Sequence, residues 1–281
     1  MRRRGLLAAG AALTAMPARA TDALAALESR QGGRLGVAIL DTGTGRALAH
    51  RGEERFPLCS TFKFLAAGLV LARVDRGEEW LDRRVAYGRG ALVPYSPVTG
   101  PGAEAGGMTM GAICDAAVTL SDNTAGNLML DSFGGPAGLT AWMRGLGDPV
   151  TRMDRREPEL NLVPPGDERD TTTPLAMIGL MRALLLGDAL RPASREQLAA
   201  WLVACRTGDR RLRAGLPTGW RVGDKTGTGP EPDIPTNDIA VAWPPGRAPI
   251  LIAAYLLGAR GSEAERSAVL AEVGRIAAQA T

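Results

Sequence analysis

The chain has 281 residues, of which 45% are hydrophobic and 22% are charged, and its formal net charge is +3. This composition is typical of a folded globular protein and excludes a largely disordered chain, and the presence of only 3 cysteines excludes a disulfide scaffold. The length corresponds to one large domain or two small ones, with enough residues to bury a deep core and a dry site.

The first 20 residues have the pattern of a secretory signal peptide. Arg2, Arg3 and Arg4 precede an apolar run over residues 5–16, and Ala18-Arg19-Ala20 supplies the small residues expected at a cleavage site. The run is shorter than the roughly 20 residues that span a bilayer, so a membrane anchor is the less favoured alternative. We therefore expect export to the periplasm or the medium, and the paired arginines indicate the twin-arginine route.

Cleavage after Ala20 would change the net charge of the chain. It removes four arginines and no acidic residue, which leaves 29 basic against 30 acidic side chains and a net charge of −1. The mature chain has no basic stripe with interleaved aromatic residues, so a nucleic acid is not an expected partner. No later run reaches 18 uninterrupted apolar residues, and we expect a soluble monomer that does not contact the membrane.

The hydrophobic pattern predicts both helices and strands. Helices are predicted at residues 22–30, 61–74, 109–119, 123–132, 136–145, 174–186, 192–205 and 262–279, and strands at 35–40, 46–50, 220–224, 239–243 and 250–257. Residues 152–170 form a charged, proline-rich loop without periodicity, and a loop of that length inside a compact domain is usually functional or disordered.

These elements predict an α+β fold. Strands from both ends of the chain would form one five-stranded antiparallel sheet flanked by helices, because the connections near the C-terminus are as short as hairpins. Residues 21–56 and 209–281 would form this lobe, and residues 57–208, including the loop 152–170, a mainly helical lobe. We expect the active site in the cleft between the two.

Lysine is rare in this chain and marks two positions. Of the 33 basic residues, 31 are arginines, and only Lys63 and Lys225 are lysines. Arginine cannot give up its proton in a protein, whereas a buried lysine can exchange one. The two lysines are therefore candidates for chemistry that arginine cannot perform, the alternative being two lysines retained by chance on the surface.

Ser60 and Lys63 stand three residues apart at the start of the most apolar predicted helix. This spacing puts both side chains on one helical face, and the free N–H groups of a helix N-terminus favour an anionic oxygen. The pair therefore predicts a serine nucleophile activated without histidine. An ordinary helix cap beside a surface lysine is the alternative.

Three further motifs follow along the chain. They are Ser121-Asp122-Asn123, Glu157 with Asn161 in the long loop, and Lys225-Thr226-Gly227 after a predicted strand. A carboxylate and an amide four residues apart can hold one water, with the carboxylate as general base, and the glycine permits close approach of a ligand. Taken singly, the three motifs are also compatible with a helix cap, a surface loop and a polar strand end.

In this order the motifs closely resemble those of class A serine β-lactamases, over essentially all of the mature chain. The segments that carry the resemblance are Cys59–Lys63, Val93–Val98, Glu157–Asn161, Gly223–Gly227 and Asn237–Ala240. The resemblance implies hydrolysis of the β-lactam amide of antibiotics through a serine acyl-enzyme, with a small-molecule substrate, no cofactor and no metal. It also implies that residues 152–170 are the family's Ω-loop, closed by an ion pair between Arg155 and Asp170.

The resemblance implies a role for each catalytic residue. Ser60 would attack the lactam carbonyl, and the N–H groups of Ser60 and Thr228 would form the oxyanion hole. Lys63 would take part in proton transfer from Ser60, and Ser121 would pass a proton to the departing nitrogen. Glu157 would activate the water that hydrolyses the acyl-enzyme, and whether Lys63 or Glu157 is the acylation base stays open.

The resemblance also implies a set of substrate-binding residues, namely Tyr95, Asn123, Asn161, Arg211, Lys225, Thr226, Gly227 and Thr228. Lys225, Thr226 and Thr228 would hold the substrate carboxylate, and Arg211 would supply an additional basic group. Tyr95 would line the mouth of the cleft.

Two other functions share part of the pattern. A penicillin-binding D-Ala-D-Ala carboxypeptidase or transpeptidase would have the serines and lysines but normally lacks the Glu157 and Asn161 pair. A β-lactam-binding sensor that does not hydrolyse would be expected to carry an anchor or a signalling domain. Both are less favoured by the residues present.

The cysteines and the single histidine argue against a disulfide, a Ser-His-Asp triad and a zinc site. Cys59 and Cys114 occupy positions that are bridged in some relatives, but the matching positions here are Gly229 and Ala67, so we expect three free and buried thiols. His50 precedes the nucleophile in a predicted hairpin, where a strand or surface histidine is favoured over a member of a Ser-His-Asp triad. One histidine with unpaired cysteines makes a zinc site improbable.

Overall fold

A computed structural model describes residues 14–15, 18–162 and 164–281 of the chain. The helices of this part are α1 (Ala18–Gln31), α2 (Phe62–Asp75), α3 (Thr99–Glu104), α4 (Met110–Thr119), α5 (Asn123–Asp131), α6 (Gly135–Gly145), α7 (Pro174–Leu185), α8 (Pro192–Val203), α9 (Leu212–Gly215) and α10 (Glu263–Ala280). Its strands are β1 (Thr14–Ala15), β2 (Arg34–Asp41), β3 (Arg46–His50), β4 (Phe56–Pro57), β5 (Arg84–Val85), β6 (Met108–Thr109), β7 (Thr171–Thr172), β8 (Arg221–Thr228), β9 (Thr236–Trp243) and β10 (Ile250–Leu257).

The main sheet joins the two ends of the chain. Its order is β1-β3-β2-β10-β9-β8, and the five long strands pair antiparallel, with the two-residue β1 added parallel to β3. The predicted α+β fold with a five-stranded antiparallel sheet is therefore confirmed. β8 lies at the edge of the sheet and pairs with β9 alone.

Both faces of the sheet are covered, which explains why β10 reads as a continuous apolar run. Leu251, Ala253 and Tyr255 belong to the core shared with α2, and the alternating residues Ile250, Ile252 and Ala254 to the core shared with α1 and α10. α2 is buried from its first residue to Ala72, as expected for a helix that is apolar on all sides.

Several local differences separate the structure from the sequence prediction, among them the start of β9 at Thr236 in place of residue 239 and the unpredicted two-residue strands β4 to β7. β8 continues to Thr228, so Lys225, Thr226 and Gly227 lie inside the strand and not after it. The sequence did not predict this extension because its side chains are polar. Its backbone pairs with β9 as far as Thr228. α1 begins at Ala18, four residues earlier than predicted. The short elements α3 and α9 were not predicted, because four to six residues give no readable period.

The predicted signal peptide lies largely outside the described residues, since residues 1–13 and 16–17 are not among them. Its last three residues, Ala18–Ala20, form the first turn of α1. Within the described part of the chain, no helix combines the length and the apolar character needed to cross a bilayer.

Candidate active site

A cleft of about 440 Å³ lies where β8, the turn before α2, the N-termini of α5 and α10 and the loop 152–170 meet. It is lined by Ser60, Tyr95, Ser121, Asn123, Asn161, Thr207, Arg211, Thr226, Thr228 and Glu263. Eight of these residues were predicted from the sequence, and Thr207 and Glu263 were not. The predicted residues Lys63, Glu157 and Lys225 are buried, and each contacts a lining residue through its side chain.

Ser60 sits in a one-turn 3-10 helix, Cys59–Thr61, which leads directly into α2. The sequence predicted Ser60 at the helix start, and the structure places it in this preceding turn. Lys63 lies one turn further on and donates from Nζ to Ser60 Oγ at 2.7 Å. The i, i+3 spacing therefore brings the amine and the hydroxyl together as predicted.

The Lys63 ammonium is fully buried and fully surrounded by acceptors. Besides Ser60, it donates to Asn123 Oδ1 at 2.7 Å and to the Ser121 carbonyl oxygen at 3.0 Å. Its Nζ is also 2.8 Å from Oε1 of Glu157. A buried charge is tolerated only with such partners, so the first three motifs converge on one side chain.

Glu157 presents its two carboxylate oxygens to different partners. Oε1 accepts from Ser60 Oγ at 3.3 Å, and Oε2 accepts from Asn161 Nδ2 at 2.6 Å. The backbone of Glu157 is held on both sides by Asn127, whose Oδ1 accepts from the Glu157 N–H at 2.9 Å and whose Nδ2 donates to its carbonyl at 2.9 Å. Asn127 was not predicted as a site residue.

The loop that carries Glu157 is closed at its base. Arg155 donates from Nε to the buried carboxylate of Asp170 at 2.6 Å. The same carboxylate accepts from the backbone N–H groups of Asp154 and Arg155. The Glu157–Pro158 peptide bond is cis. The Arg155 and Asp170 contacts therefore join the two ends of the segment that carries Glu157.

Ser121 and Lys225 form a second serine and lysine pair on the opposite wall. Lys225 donates from Nζ to Ser121 Oγ at 2.9 Å and to the Thr226 carbonyl at 2.8 Å. Complete burial lowers the pKa of Lys225 to about 7, and the nearby positive charges of Lys63 and Arg211 act in the same direction. Lys225 therefore titrates near neutral pH in the free protein.

Arg211 reaches the same edge of the sheet from the segment before α9. Its Nη1 donates to the carbonyls of Gly227 and Asn237 at 2.9 and 2.7 Å, and its Nη2 to Thr228 Oγ1 at 2.8 Å. Arg211 as a whole is 4% exposed. Thr207 also lines the cleft, although it was not predicted, and its Oγ1 shares a 2.6 Å hydrogen bond with Oγ1 of Thr226.

Tyr95 and Asn123 shape the mouth of the cleft. Tyr95 is 60% exposed, adopts a positive φ of 63°, and accepts at its carbonyl from the Asn123 N–H at 2.9 Å. Asn123 also donates from Nδ2 to the carbonyl of Pro94 at 2.9 Å. The Asn123 amide therefore links this loop to Lys63.

The remaining candidates from the sequence lie elsewhere. His50 is in β3, where Nε2 is 2.8 Å from Oε2 of Glu28, and it does not line the cleft. The three cysteines are buried free thiols. Burial raises the pKa of Cys59 and Cys114, and that of Cys205 to about 11. Across residues 14–15, 18–162 and 164–281, no group of three His, Cys, Asp or Glu side chains is arranged to bind a metal.

A hydroxyl that contacts both an ammonium and a carboxylate, in a cleft with basic groups along one strand, defines a class of serine hydrolase that works without histidine. Comparisons with known proteins make the assignment specific. A model of the β-lactamase enzyme family matches residues 19–281. The β-lactamase AST-1 of Nocardia asteroides is 51% identical over 257 residues, covering 91% of this chain and 82% of the relative.

Other relatives agree. The carbapenem-hydrolyzing β-lactamase KPC of Klebsiella oxytoca is 45% identical, over 96% of this chain and 91% of the relative. An ancestral class A β-lactamase (GNCA) superimposes with a TM-score of 0.91 at 62% identity, over 93% of this chain and all of that structure. A putative class A β-lactamase, PenP from Rhodopseudomonas palustris, matches with a TM-score of 0.91 at 58% identity, over 94% of this chain and all of that structure. The chain belongs to the β-lactamase family and is a class A enzyme, a hydrolase of β-lactam antibiotics.

Proposed function

We propose that this enzyme opens the β-lactam ring through a covalent acyl-enzyme on Ser60. One observation carries the proposal: Ser60 Oγ lies 2.7 Å from Lys63 Nζ and 3.3 Å from Glu157 Oε1. Two groups able to accept a proton therefore contact the Ser60 hydroxyl, which lines the cleft.

In the proposed acylation step, Ser60 Oγ attacks the lactam carbonyl, and its proton leaves through Lys63 or Glu157. The N–H groups of Ser60 and Thr228 stabilise the oxyanion, and each such donor typically contributes about 100- to 1,000-fold in rate. The C–N bond then breaks, and the Ser121 hydroxyl delivers a proton to the lactam nitrogen. The contact between Ser121 and Lys225 favours this transfer, because a lysine with a pKa of about 7 can resupply the proton.

In the proposed deacylation step, Glu157 removes a proton from a water molecule, and the resulting hydroxide attacks the ester. Asn161 would hold this water, since its amide already contacts the Glu157 carboxylate at 2.6 Å. Asn127 acts as a positioning residue through the backbone of Glu157. The bond between the acyl carbon and Ser60 Oγ then breaks, and the proton held by Glu157 passes to Ser60 Oγ. The proton removed from Ser60 during acylation restores the one that Lys225 supplied. The products are the opened β-lactam and free Ser60.

The proposed binding residues occupy the edge of the sheet and the mouth of the cleft. The substrate carboxylate would lie against the basic and hydroxyl groups of Lys225, Thr226, Thr228 and Arg211. Asn123 would bind the amide of the substrate side chain, Gly227 would allow the substrate to approach β8, and Tyr95 would cover the ring. The cleft would lie between the lobe formed by residues 21–56 with 209–281 and the lobe of residues 57–208.

We also propose that residues 1–20 direct export and are removed, so that the mature enzyme acts as a monomer in the periplasm or the medium. The basic start, the apolar run and the small residues before position 21 support this. The loop of residues 152–170 would act as the Ω-loop that carries the deacylation base.

Steady-state hydrolysis of nitrocefin by the purified mature chain tests the acyl-enzyme cycle. We expect continuous turnover, because Glu157 and Asn161 are placed to return Ser60 to its free state. A single stoichiometric burst without turnover would instead fit a penicillin-binding peptidase or a sensor, and would reject the proposed cycle.

The pH dependence of kcat/KM tests the role of Lys225. We expect kcat/KM to fall as the pH rises through about 7, because the neutral amine no longer attracts the substrate carboxylate. The unfolded chain holds this proton up to the ordinary lysine pKa of about 10.4, so the contribution of Lys225 to stability rises with pH between these two values. In Lys225→Arg the charge persists and the descending limb should disappear. If kcat/KM of this variant still falls near pH 7, another group titrates there, and the result contradicts the role of Lys225.

A further inference from the structure

One acidic side chain, that of Glu263, lines the cleft near the basic groups at the β8 edge of the sheet. Glu263 is the first residue of α10, directly after the N-cap Ser262, and its exposed side chain lines the cleft together with Arg211 and Thr228. The neighbouring Glu265 is different, since its carboxylate turns back to accept from the N–H and the hydroxyl of Ser262. Only the first of these two carboxylates faces the site.

Glu263 lies within electrostatic reach of the group proposed to bind the substrate carboxylate. Burial lowers the pKa of Arg211, and the negative charges of Asp238 and Glu263 act in the opposite direction. Asp238 is a fully buried residue of β9, whereas Glu263 is exposed and lines the cleft. A substrate group at this end of the cleft would therefore meet one exposed carboxylate beside a buried guanidinium.

The chemistry of cephalosporins identifies what would occupy this position, and the inference rests on the proposed carboxylate site. In a cephalosporin, C3 is bonded to the ring carbon that carries the carboxylate. If that carboxylate lies against Thr228 and Arg211, a substituent on C3 points to the neighbouring part of the same wall, where Glu263 lies. We propose that Glu263 is a specificity-determining residue that favours cephalosporins with a cationic substituent at C3.

A matched pair of substrates tests this inference. Cephalothin and cephaloridine share the same thienylacetyl side chain and differ at C3, where one carries a neutral acetoxymethyl group and the other a cationic pyridiniummethyl group. In Glu263→Gln, we expect the ratio of kcat/KM for cephaloridine to that for cephalothin to fall by about 1.5- to 5-fold, the size typical of one exposed charge pair. The fall should appear chiefly in KM, because the charge acts on binding.

Glu265→Gln provides the control, because it removes one negative charge from the same helical turn and glutamine preserves the capping box. The ratio should remain unchanged in this variant. Raising the salt from about 0.02 M to about 0.5 M should lower the ratio of the unsubstituted enzyme and leave that of Glu263→Gln constant, because salt screens charges in solvent.

An unchanged ratio in Glu263→Gln, or an equal fall in Glu265→Gln, would overturn the inference. Absence of turnover of both compounds by the unsubstituted enzyme would contradict the proposed function itself, and the inference with it. The two failures are therefore distinguishable.

Discussion

Replacing Glu157 by alanine is expected to trap the acyl-enzyme and to slow its hydrolysis by about 100- to 10,000-fold, the contribution typical of a general base. The carboxylate touches both Ser60 Oγ and the Asn161 amide, so its loss removes the group placed to activate water next to the ester. Acylation should continue, because Lys63 still contacts Ser60. Mass spectrometry after mixing with a penicillin should show one covalent adduct.

Glu159→Ala is the matched control for this variant. Glu159 lies two residues further along the same loop, and its side chain is exposed to solvent. We expect the control to turn over nitrocefin at the rate of the unsubstituted enzyme, with no accumulated adduct. Unchanged turnover in Glu157→Ala would remove this carboxylate from the mechanism, and an adduct in Glu159→Ala would point to general damage of the loop.

The two lysines of the site were found because lysine is rare in this chain, and the other predicted residues through the motifs and the resemblance that the motifs carry. Only two lysines occur, and both are buried at the cleft with a serine hydroxyl within 2.9 Å. A buried lysine needs several hydrogen-bond acceptors around its amine. A serine near one of only two lysines in the sequence therefore strongly indicates a functional site. The sequence could not give the distances, because Ser121 and Lys225 are 104 residues apart and meet only in the folded chain.

Asn127 was not predicted, although its residue type is equally rare. Asparagine occurs only four times in the chain. Asn123, Asn161 and Asn237 lie in motifs or segments that carry the family resemblance, and Asn237 donates to the carbonyl of Pro57, three residues before the nucleophile. Asn127 holds Glu157 through the backbone and belongs to none of these motifs.

Glu263 and Thr207 could not be predicted by these means. Glutamate and threonine are common here, and neither residue belongs to a motif. Glu263 enters the cleft only because the capping box at Ser262 sets where α10 begins, and because α10 packs against the sheet beside β9. Position in three dimensions, and not residue type, makes these two side chains part of the site.

Replacing Lys63 by methionine is expected to abolish hydrolysis and also to destabilise the fold. Methionine has a similar length but carries no charge, so Glu157 would lose the buried cation that lies 2.8 Å away. Removing one member of a buried ion pair typically costs roughly 3–5 kcal/mol. For a domain of about this size, that corresponds to a fall in Tm of about 6–20 °C, measurable by calorimetry.

The double variant Lys63→Met with Glu157→Gln separates the two effects. It removes both charges, so the melting temperature should recover most of the loss seen in Lys63→Met, whereas hydrolysis should remain absent because neither proton acceptor is left beside Ser60. The comparison requires Glu157→Gln alone as the fourth member of the cycle. If the double variant melts no higher than Lys63→Met, the instability comes from the lost hydrogen bonds to Ser121 and Asn123 and not from an unpaired carboxylate. A recovered melting temperature without activity would show that this buried pair is retained for catalysis at no net gain in stability.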